Sequence, residues 1–273
     1  MLALVQDKEI GGQEIALLAA TGTIQGIRIP QSYDEAVNDP ENAEQWKAAI
    51  QEEIASLKSN KTWEEERLPK SANTVSTKWV FTVKLTVNGK VERFKARLVA
   101  RGFSQVWGED FHETFAPTVR MDTLRIFLAI IAAENLECRQ FDIKNAFTES
   151  KLQERVFLSA PQGVEVKKGH VLRVLRSLYG LKQAARDWNT LARQFLVEIG
   201  FQQSLAEPCL YTHNQKGILV LLYVDDIPAA ARQSKQLDWL YAKLSSRFNT
   251  KDLGGISKIL GARVTRNRNS REL

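Results

Sequence analysis

The chain has 273 residues, of which 44% are hydrophobic and 26% charged, a balance typical of a globular protein with a sizeable core. Its two cysteines and three histidines are scattered without metal-binding spacing, which argues against a zinc site. No apolar run is long enough to span a membrane, and the acidic N-terminal residues do not fit a signal peptide. We therefore expect an intracellular protein, in the cytoplasm, the nucleus or both, without a membrane partner.

The net charge of +6 is distributed unevenly along the chain. The first 60 residues hold ten acidic and four basic side chains, whereas residues 78–101 hold seven Lys or Arg and one Glu. A basic segment of this kind predicts contact with a polyanion such as a nucleic acid or a triphosphate. A merely solvated face explains the same pattern, and both interpretations stay open at this point.

Residues 1–30 show no periodic pattern, and we expect a leader or linker there. After Asp39-Pro40, apolar residues recur at helical spacing at Trp46, Ile50, Ile54 and Leu57, which predicts an amphipathic helix. The acidic outer face of this helix makes it a poor contact for nucleic acid. We expect it to pack against the elements that follow.

Residues 77–101 predict a β-hairpin, because Asn88-Gly89 separates two alternating segments. Side chains alternate between the two faces of a strand, so Arg93, Lys95 and Arg97 share one face of the second arm. Such a row of cations can clamp a triphosphate or a nucleic-acid backbone. An ordinary polar sheet face is the alternative.

Residues 122–133 are almost entirely apolar and predict a buried helix, followed by a short strand over residues 139–143. In this strand Asp142 stands between Phe141 and Ile143. A carboxylate flanked by two bulky apolar residues is either a paired structural residue or a site residue. Further on, residues 171–200 predict a strand, a Tyr-Gly turn and a helix that ends at Gly200.

An apolar run over residues 218–224 predicts a buried strand, and Asp225 and Asp226 follow it at the tip of a hairpin. Two adjacent carboxylates repel each other, and a divalent cation such as Mg²⁺, which prefers oxygen ligands, relieves that repulsion. Because Asp is also a good turn former, a plain hairpin turn remains the alternative. An amphipathic helix over residues 234–248 and a short hairpin unit near residues 257–266 complete the chain.

Six motifs carry a resemblance to a known family: KWVFTVK, RFKARLVARGFSQ, FDIKNAF, SLYGLKQAARDW, YVDD and KDLGGISKILG. In this order and spacing they resemble the reverse transcriptase domain of copia-type (Pseudoviridae) LTR retrotransposon polyproteins, over residues 32–266. The resemblance implies an α+β, right-hand polymerase fold in which helices back an antiparallel palm sheet. The fingers hairpin would lie at residues 77–101 and the palm at about 110–266, and neither a thumb nor an RNase H segment is expected.

The resemblance also implies RNA-directed DNA synthesis from dNTPs on an RNA or DNA template-primer, with two Mg²⁺ ions, or Mn²⁺ in their place. Other segments of a retrotransposon polyprotein are the further partners it implies. By position in the motifs, the catalytic and metal-binding residues would be Asp142, Asp225 and Asp226, with the Ile143 carbonyl as a further ligand. The residues that bind the incoming nucleotide would be Lys95, Arg97, Phe147 as a steric gate, Gly180, Lys182 and Gln183. Contacts to the primer and template would come from Tyr223, Leu260 and Gly261.

The chain departs from the family pattern at several positions, of which Pro228, two residues past the carboxylate pair, has the clearest physical consequence. Proline has no N–H to donate to a sheet, so it either distorts the hairpin or stands where that N–H is not needed. Two hypotheses follow. The first is an active polymerase domain, and the second is a catalytically silent remnant that still binds nucleic acid.

Overall fold

The computed structural model describes residues 22–86, 89–260 and 262–273 of the chain. The chain divides into two compact units, one made of residues up to Glu113 together with Lys151–Ala184, the other of Thr114–Ser150 together with Ala185–Leu273. Within the described ranges, no helix is both long and apolar enough to cross a bilayer.

The helices and strands alternate irregularly along the chain. They are β1 (Thr23–Ile24), β2 (Ile27–Arg28), α1 (Tyr33–Val37), α2 (Ala43–Ser59), β3 (Trp63–Arg67), β4 (Thr77–Leu85), β5 (Val91–Ala100), α3 (Met121–Ala133), β6 (Glu137–Ile143), α4 (Ala146–Glu149), β7 (Phe157–Leu158), β8 (His170–Val174), α5 (Ala184–Glu198), β9 (Gln202–Gln203), β10 (Leu210–His213), β11 (Ile218–Leu221), β12 (Asp226–Ala231), α6 (Ser234–Arg247), β13 (Thr250–Asp252), β14 (Lys258–Ile259) and β15 (Ala262–Arg263). Every paired strand in these ladders is antiparallel. The α+β expectation is confirmed.

The first unit is organised around the long β4–β5 hairpin and a three-stranded sheet in the order β3-β8-β7. One face of the hairpin is apolar and is covered by α2, where Trp46 is fully buried and meets the edges of the Phe81 and Phe94 rings. This packing explains the predicted amphipathic helix. The opposite face of β5 carries the predicted row of cations, since residues two apart on a strand point the same way.

Two sequence expectations fall partly outside the described residues. The turn predicted at Asn88-Gly89 lies partly outside them, since Asn88 is not among the described residues, whereas the Thr86 N–H donates to the Lys90 carbonyl at 2.7 Å. Residues 1–21 also lie outside, but β1 and β2 form a small antiparallel ladder within the segment expected to be a linker. The boundary at residue 30 stays a prediction.

The second unit is built on a six-stranded sheet in the order β13-β6-β12-β11-β10-β9. Helices α5 and α6 bury one face through a cluster that includes Phe141, Ile227 and Trp188. Helix α3 buries the other face through Leu124, Phe127 and neighbouring side chains. The central strand β12 is buried along its whole length because helices cover the sheet on both sides.

Pro228 lies within β12, between two strands, yet the strand register shows how the sheet accommodates it. Its partner in β6 is Gln140. The Gln140 N–H donates to the Gly254 carbonyl and the Gln140 carbonyl accepts from the Leu253 N–H, both on the side of β6 away from β12. Pro228 and Gln140 therefore form a non-hydrogen-bonded pair, which needs no N–H from Pro228. The Pro228 nitrogen, which carries no hydrogen, therefore faces β11. On that side the β11–β12 ladder extends only as far as Ala229. The proline shortens one ladder and leaves the register with β6 intact.

Candidate active site

Two of the predicted carboxylates lie on neighbouring strands of the second unit. Asp142 in β6 and Asp226 at the start of β12 are direct cross-strand partners. The backbone groups of Asp226 bond to Tyr223, away from β6, so the Asp142–Asp226 pair is of the closer, non-hydrogen-bonded type, with Cα atoms roughly 4.5 Å apart. Both side chains therefore stand on the same face of the sheet.

The third carboxylate, Asp225, lies in a two-residue turn between β11 and β12. Reciprocal backbone hydrogen bonds of 2.9 Å between Tyr223 and Asp226 close this turn. The Asp225 carbonyl accepts a further hydrogen bond of 2.9 Å from the Ile143 N–H in β6. The turn is therefore tied to the strand that carries Asp142, and the three carboxylates belong to one end of the sheet.

The environment of Asp226 differs from that of the other two carboxylates. Asp226 is 6% exposed, and its Oδ1 accepts a 3.1 Å hydrogen bond from the side-chain amide of the buried Gln140. Asp142 and Asp225 are half-buried. Sequence reasoning missed Gln140, since only the pairing of β6 with β12 brings it beside a residue 86 positions away.

In the described part of the chain, no group of three or more His, Cys, Asp or Glu side chains is placed to hold a metal ion. Mg²⁺ usually takes only one or two protein carboxylates and fills its remaining positions with water and substrate phosphates. The oxygen donors of Asp142 and Asp225 fit that requirement. The metal roles predicted for these residues, for Asp226 and for the Ile143 carbonyl stay predictions.

Four other predicted site residues belong to the second unit. Phe147 in α4 is half-buried and packs against the cluster beneath α5 and α6. Tyr223 and Leu260 pack against the cluster on the α3 side, and Leu260 has a positive φ of 49°. Gly261 lies outside the described residues. The roles predicted for these residues with the nucleotide, primer and template stay predictions.

In the first unit, β5 lies against the segment that precedes α5. The Arg97 guanidinium lies over the Tyr179 ring at 5.2 Å from its centroid. Next to it, Gly180 has a φ of +88°, and a Cβ at this position would stand 2.1 Å from the Ala100 carbonyl oxygen and 2.6 Å from Val99 Cγ1. The structure thus brings two of the predicted nucleotide-binding residues, Arg97 and Gly180, onto adjacent segments.

The neighbouring Lys182 and Gln183 behave differently from each other. Lys182 is exposed, and its ammonium lies over the Phe111 ring at 4.3 Å. Gln183 is fully buried, with its amide donating to the Asp110 carbonyl at 2.8 Å and accepting from the buried Gln105 at 3.0 Å. In this arrangement the Gln183 side chain holds the loop around residues 105–110, which sequence reasoning did not anticipate. The nucleotide-binding role predicted for Gln183 stays a prediction.

Beneath the cation row, Glu53 of α2 accepts a 3.3 Å hydrogen bond from the Leu98 N–H of β5. Burial raises the pKa of the Glu53 carboxyl above its ordinary value, although the Leu98 N–H and the charges of Arg97 and Lys95 act in the opposite direction. The folded state therefore holds the Glu53 proton more tightly than the unfolded chain does. The free energy of unfolding falls as the pH rises through that raised pKa.

We expect Glu53→Gln to remove this fall in the free energy of unfolding with rising pH, because the amide side chain still accepts the Leu98 hydrogen bond and does not ionise. The variant should gain stability over the unmodified chain at pH 7 and lose that advantage at pH 4, as measured by urea unfolding. Glu52→Gln, at the exposed neighbouring position, controls for the loss of one negative charge. An equal advantage of Glu53→Gln at both pH values would contradict the expectation.

Comparison with known proteins agrees with the motifs. Residues 60–273 match the family model described as reverse transcriptase (RNA-dependent DNA polymerase). The chain is 39% identical to the retrovirus-related Pol polyprotein from transposon TNT 1-94 of Nicotiana tabacum, over 90% of the chain and 19% of that protein. It is 34% identical to that from transposon RE2 of Arabidopsis thaliana, over 90% of the chain and 18% of that protein.

Among solved structures, a foamy viral protease-reverse transcriptase in complex with double-stranded DNA aligns at 14% identity with a TM-score of 0.36, covering 74% of this chain and 30% of that one. The chain spans less than a fifth of the length of the two plant polyproteins it matches. With most of its length matched by the family model, the chain belongs to the reverse transcriptase (RNA-dependent DNA polymerase) family, and its relatives are Pol polyproteins of copia-type transposons.

Proposed function

We propose that this chain is the polymerase part of a retrotransposon reverse transcriptase, which extends a primer 3′-hydroxyl with dNTPs on an RNA or DNA template. One observation carries the proposal: Asp142 and Asp226 face each other across β6 and β12, and Ile143 ties the Asp225 turn to β6. An end of a sheet with three carboxylates suits the binding of divalent cations, which would neutralise the negative charge of the reacting phosphates. Under this proposal the second unit is the palm, and the β4–β5 hairpin belongs to the fingers.

The oxygen donors fit Mg²⁺, with Asp142 and Asp225 as the ligands and Asp226 and the Ile143 carbonyl as further donors. Two bound ions, or Mn²⁺ in their place, would lower the pKa of the primer hydroxyl and stabilise the pyrophosphate leaving group. The protein supplies the positions of the carboxylates. The amide of Gln140 keeps Asp226 oriented on the same face of the sheet.

The remaining residues would bind and select the nucleotide. Lys95 and Arg97 carry the positive charge that a triphosphate requires, and Lys182 adds an exposed cation. Phe147, in the helix that follows β6, would exclude a ribose 2′-hydroxyl. The Gly180 backbone would line the nucleotide pocket. Gln183 would support that pocket by holding the loop around residues 105–110. Tyr223, Leu260 and Gly261 would contact the primer and template.

The test is primer extension on poly(rA)/oligo(dT) with Mg²⁺, with and without a chelator, beside a filter-binding assay over a salt series. Chelator-sensitive extension is the expected result, with Mn²⁺ able to restore activity. Duplex binding that weakens with salt but gives no extension would instead support the silent remnant. Because the relatives are far longer than this chain, the assay should be repeated with the adjoining polyprotein segments.

We expect Pro228→Val to change the extension rate by less than about threefold. The new N–H would face β11, whereas the pairing of β12 with β6, which sets the Asp142–Asp226 partnership, does not use that group. Single-nucleotide incorporation kinetics measure the effect. If Pro228 were the cause of a silenced enzyme, the valine variant would gain activity by orders of magnitude, and this would contradict our interpretation of the register.

We expect Phe147→Val to admit ribonucleotides, raising their incorporation relative to deoxynucleotides by about tenfold or more, since steric rejection is lost when the blocking side chain shrinks. Competition between dTTP and UTP on a poly(rA) template gives the ratio. Phe115→Val, at a phenylalanine that is 78% exposed, provides the matched control. An unchanged ratio in Phe147→Val would remove the gating role from this residue.

A further inference from the structure

The turn that carries Asp225 has an unfavourable backbone conformation. Val224, the first residue of the turn, has a φ of +50°. A β-branched side chain disfavours this left-handed region, and such residues persist only where surrounding contacts hold them. Contacts that maintain the turn therefore bear directly on where the Asp225 carboxylate stands.

On its β11 side, the strand pairing below the turn is interrupted. The β11–β12 ladder reaches only Ala229, because Pro228 has no N–H to continue it towards the turn. Beyond that gap, a reciprocal pair of backbone hydrogen bonds between Tyr223 and Asp226 closes the turn. Groups outside the hairpin add to the restraint on Val224 and Asp225.

Two such groups donate to the two carbonyls of the turn. The Ile143 N–H donates to the Asp225 carbonyl at 2.9 Å, and the indole Nε1–H of Trp188 donates to the Val224 carbonyl. Trp188 lies in α5 and is 1% exposed. Its ring meets the Phe248 ring edge-on at 5.3 Å, so core packing fixes the direction in which the indole N–H points.

We propose that Trp188 is a positioning residue for polymerisation: its indole N–H holds the Val224 carbonyl, and through it the left-handed turn that presents Asp225. This inference rests on the proposed function and adds a residue to it. Under the proposal Trp188 acts through the turn and binds no substrate. Its contribution should therefore appear in the rate of the chemical step and not in nucleotide affinity.

The first test is Trp188→Phe, which keeps an aromatic ring in the core and removes the N–H. We expect kcat for nucleotide incorporation to fall about tenfold and KM for the dNTP to change less than twofold, since the half-buried Val224 carbonyl loses its donor. Trp239→Phe, in α6 of the same unit, is the matched control for loss of an indole. Equal kcat values for Trp188→Phe and the unmodified chain would overturn the proposal.

The second test is a double-mutant cycle with Val224→Gly, because glycine adopts a positive φ without strain. If Trp188 acts by holding Val224, the loss caused by Trp188→Phe should shrink severalfold in the glycine background. Losses that multiply independently, to within about twofold, would show that Trp188 acts through general packing and would contradict the inference.

A readout independent of activity separates this inference from the proposed function. The indole N–H of Trp188 should exchange slowly with solvent in NMR spectra of the full chain, and its resonance should shift in Val224→Gly. Rapid exchange would overturn the inference even in an active enzyme. If the unmodified chain polymerises nothing, the proposed function fails. The free energies of unfolding of the unmodified chain, Trp188→Phe, Val224→Gly and the double variant then measure the coupling between Trp188 and Val224.

Discussion

Primer extension by the Asp225→Asn variant is expected to fall by about three orders of magnitude, the largest effect on activity that follows from the proposed function. Asn keeps the size of the side chain and removes the charge that an ion needs. The fold should tolerate the change, since Asp225 is half-buried and its backbone carbonyl, not its carboxylate, bonds to Ile143. Single-turnover incorporation of one dTTP on poly(rA)/oligo(dT) measures the loss.

The matched control is Glu134→Gln, which removes a carboxylate elsewhere in the same unit. Glu134 follows α3 and forms an exposed ion pair with Arg232 at 3.1 Å, so its loss should leave extension within about twofold. Both variants should unfold at the same urea concentration as the unmodified chain to within experimental error. Extension that survives in Asp225→Asn would contradict the assignment of this turn to the active site.

Gly180→Ala is expected to lower the free energy of unfolding by more than about 3 kcal/mol, the largest effect on stability that we predict. An added Cβ would stand 2.1 Å from the Ala100 carbonyl oxygen, and the backbone of β5 cannot move away without breaking its hairpin. The φ of +88° at Gly180 adds strain for any L side chain. Urea unfolding, followed by the fluorescence of the tryptophans, measures the difference.

Gly108→Ala provides the control, because it shares the positive φ without the clash. Gly108 lies in the same unit at a φ of +84°, and nothing stands within 4 Å of its added Cβ. We expect it to cost about 1 kcal/mol, from backbone strain alone. Similar losses in the two variants would show that the approach of residue 180 to β5 does not matter for stability.

The larger secondary-structure elements could be predicted because their signals are local. The helical recurrence of Trp46, Ile50, Ile54 and Leu57 predicted α2, and the alternating segments around Asn88-Gly89 predicted β4 and β5. The short strand predicted around Asp142 corresponds to β6. In each case apolar and polar side chains recur along the sequence with the period of a helix or a strand. The pattern can therefore be recognised without knowledge of the fold.

The division of the chain could not be predicted in the same way. Residues 151–184 follow the predicted palm strand β6 in sequence, yet they belong to the unit that contains the β4–β5 hairpin. The chain therefore leaves one unit and returns to it. Such a return depends on contacts such as that of Gly180 with Ala100, which have no counterpart in the periodicity of either segment.

By itself the sequence determined the class of fold and the family, and it predicted the carboxylates and cations on which the proposed polymerase function rests. Those conclusions depend on residue types at short spacing, which the chain displays directly. Only the tertiary structure decided which buried groups hold the predicted site residues and their neighbours: Gln140 on Asp226, Gln105 on Gln183, and Trp188 on Val224. These hydrogen bonds join residues 36 to 86 positions apart, and their partners meet only after strands and helices have packed.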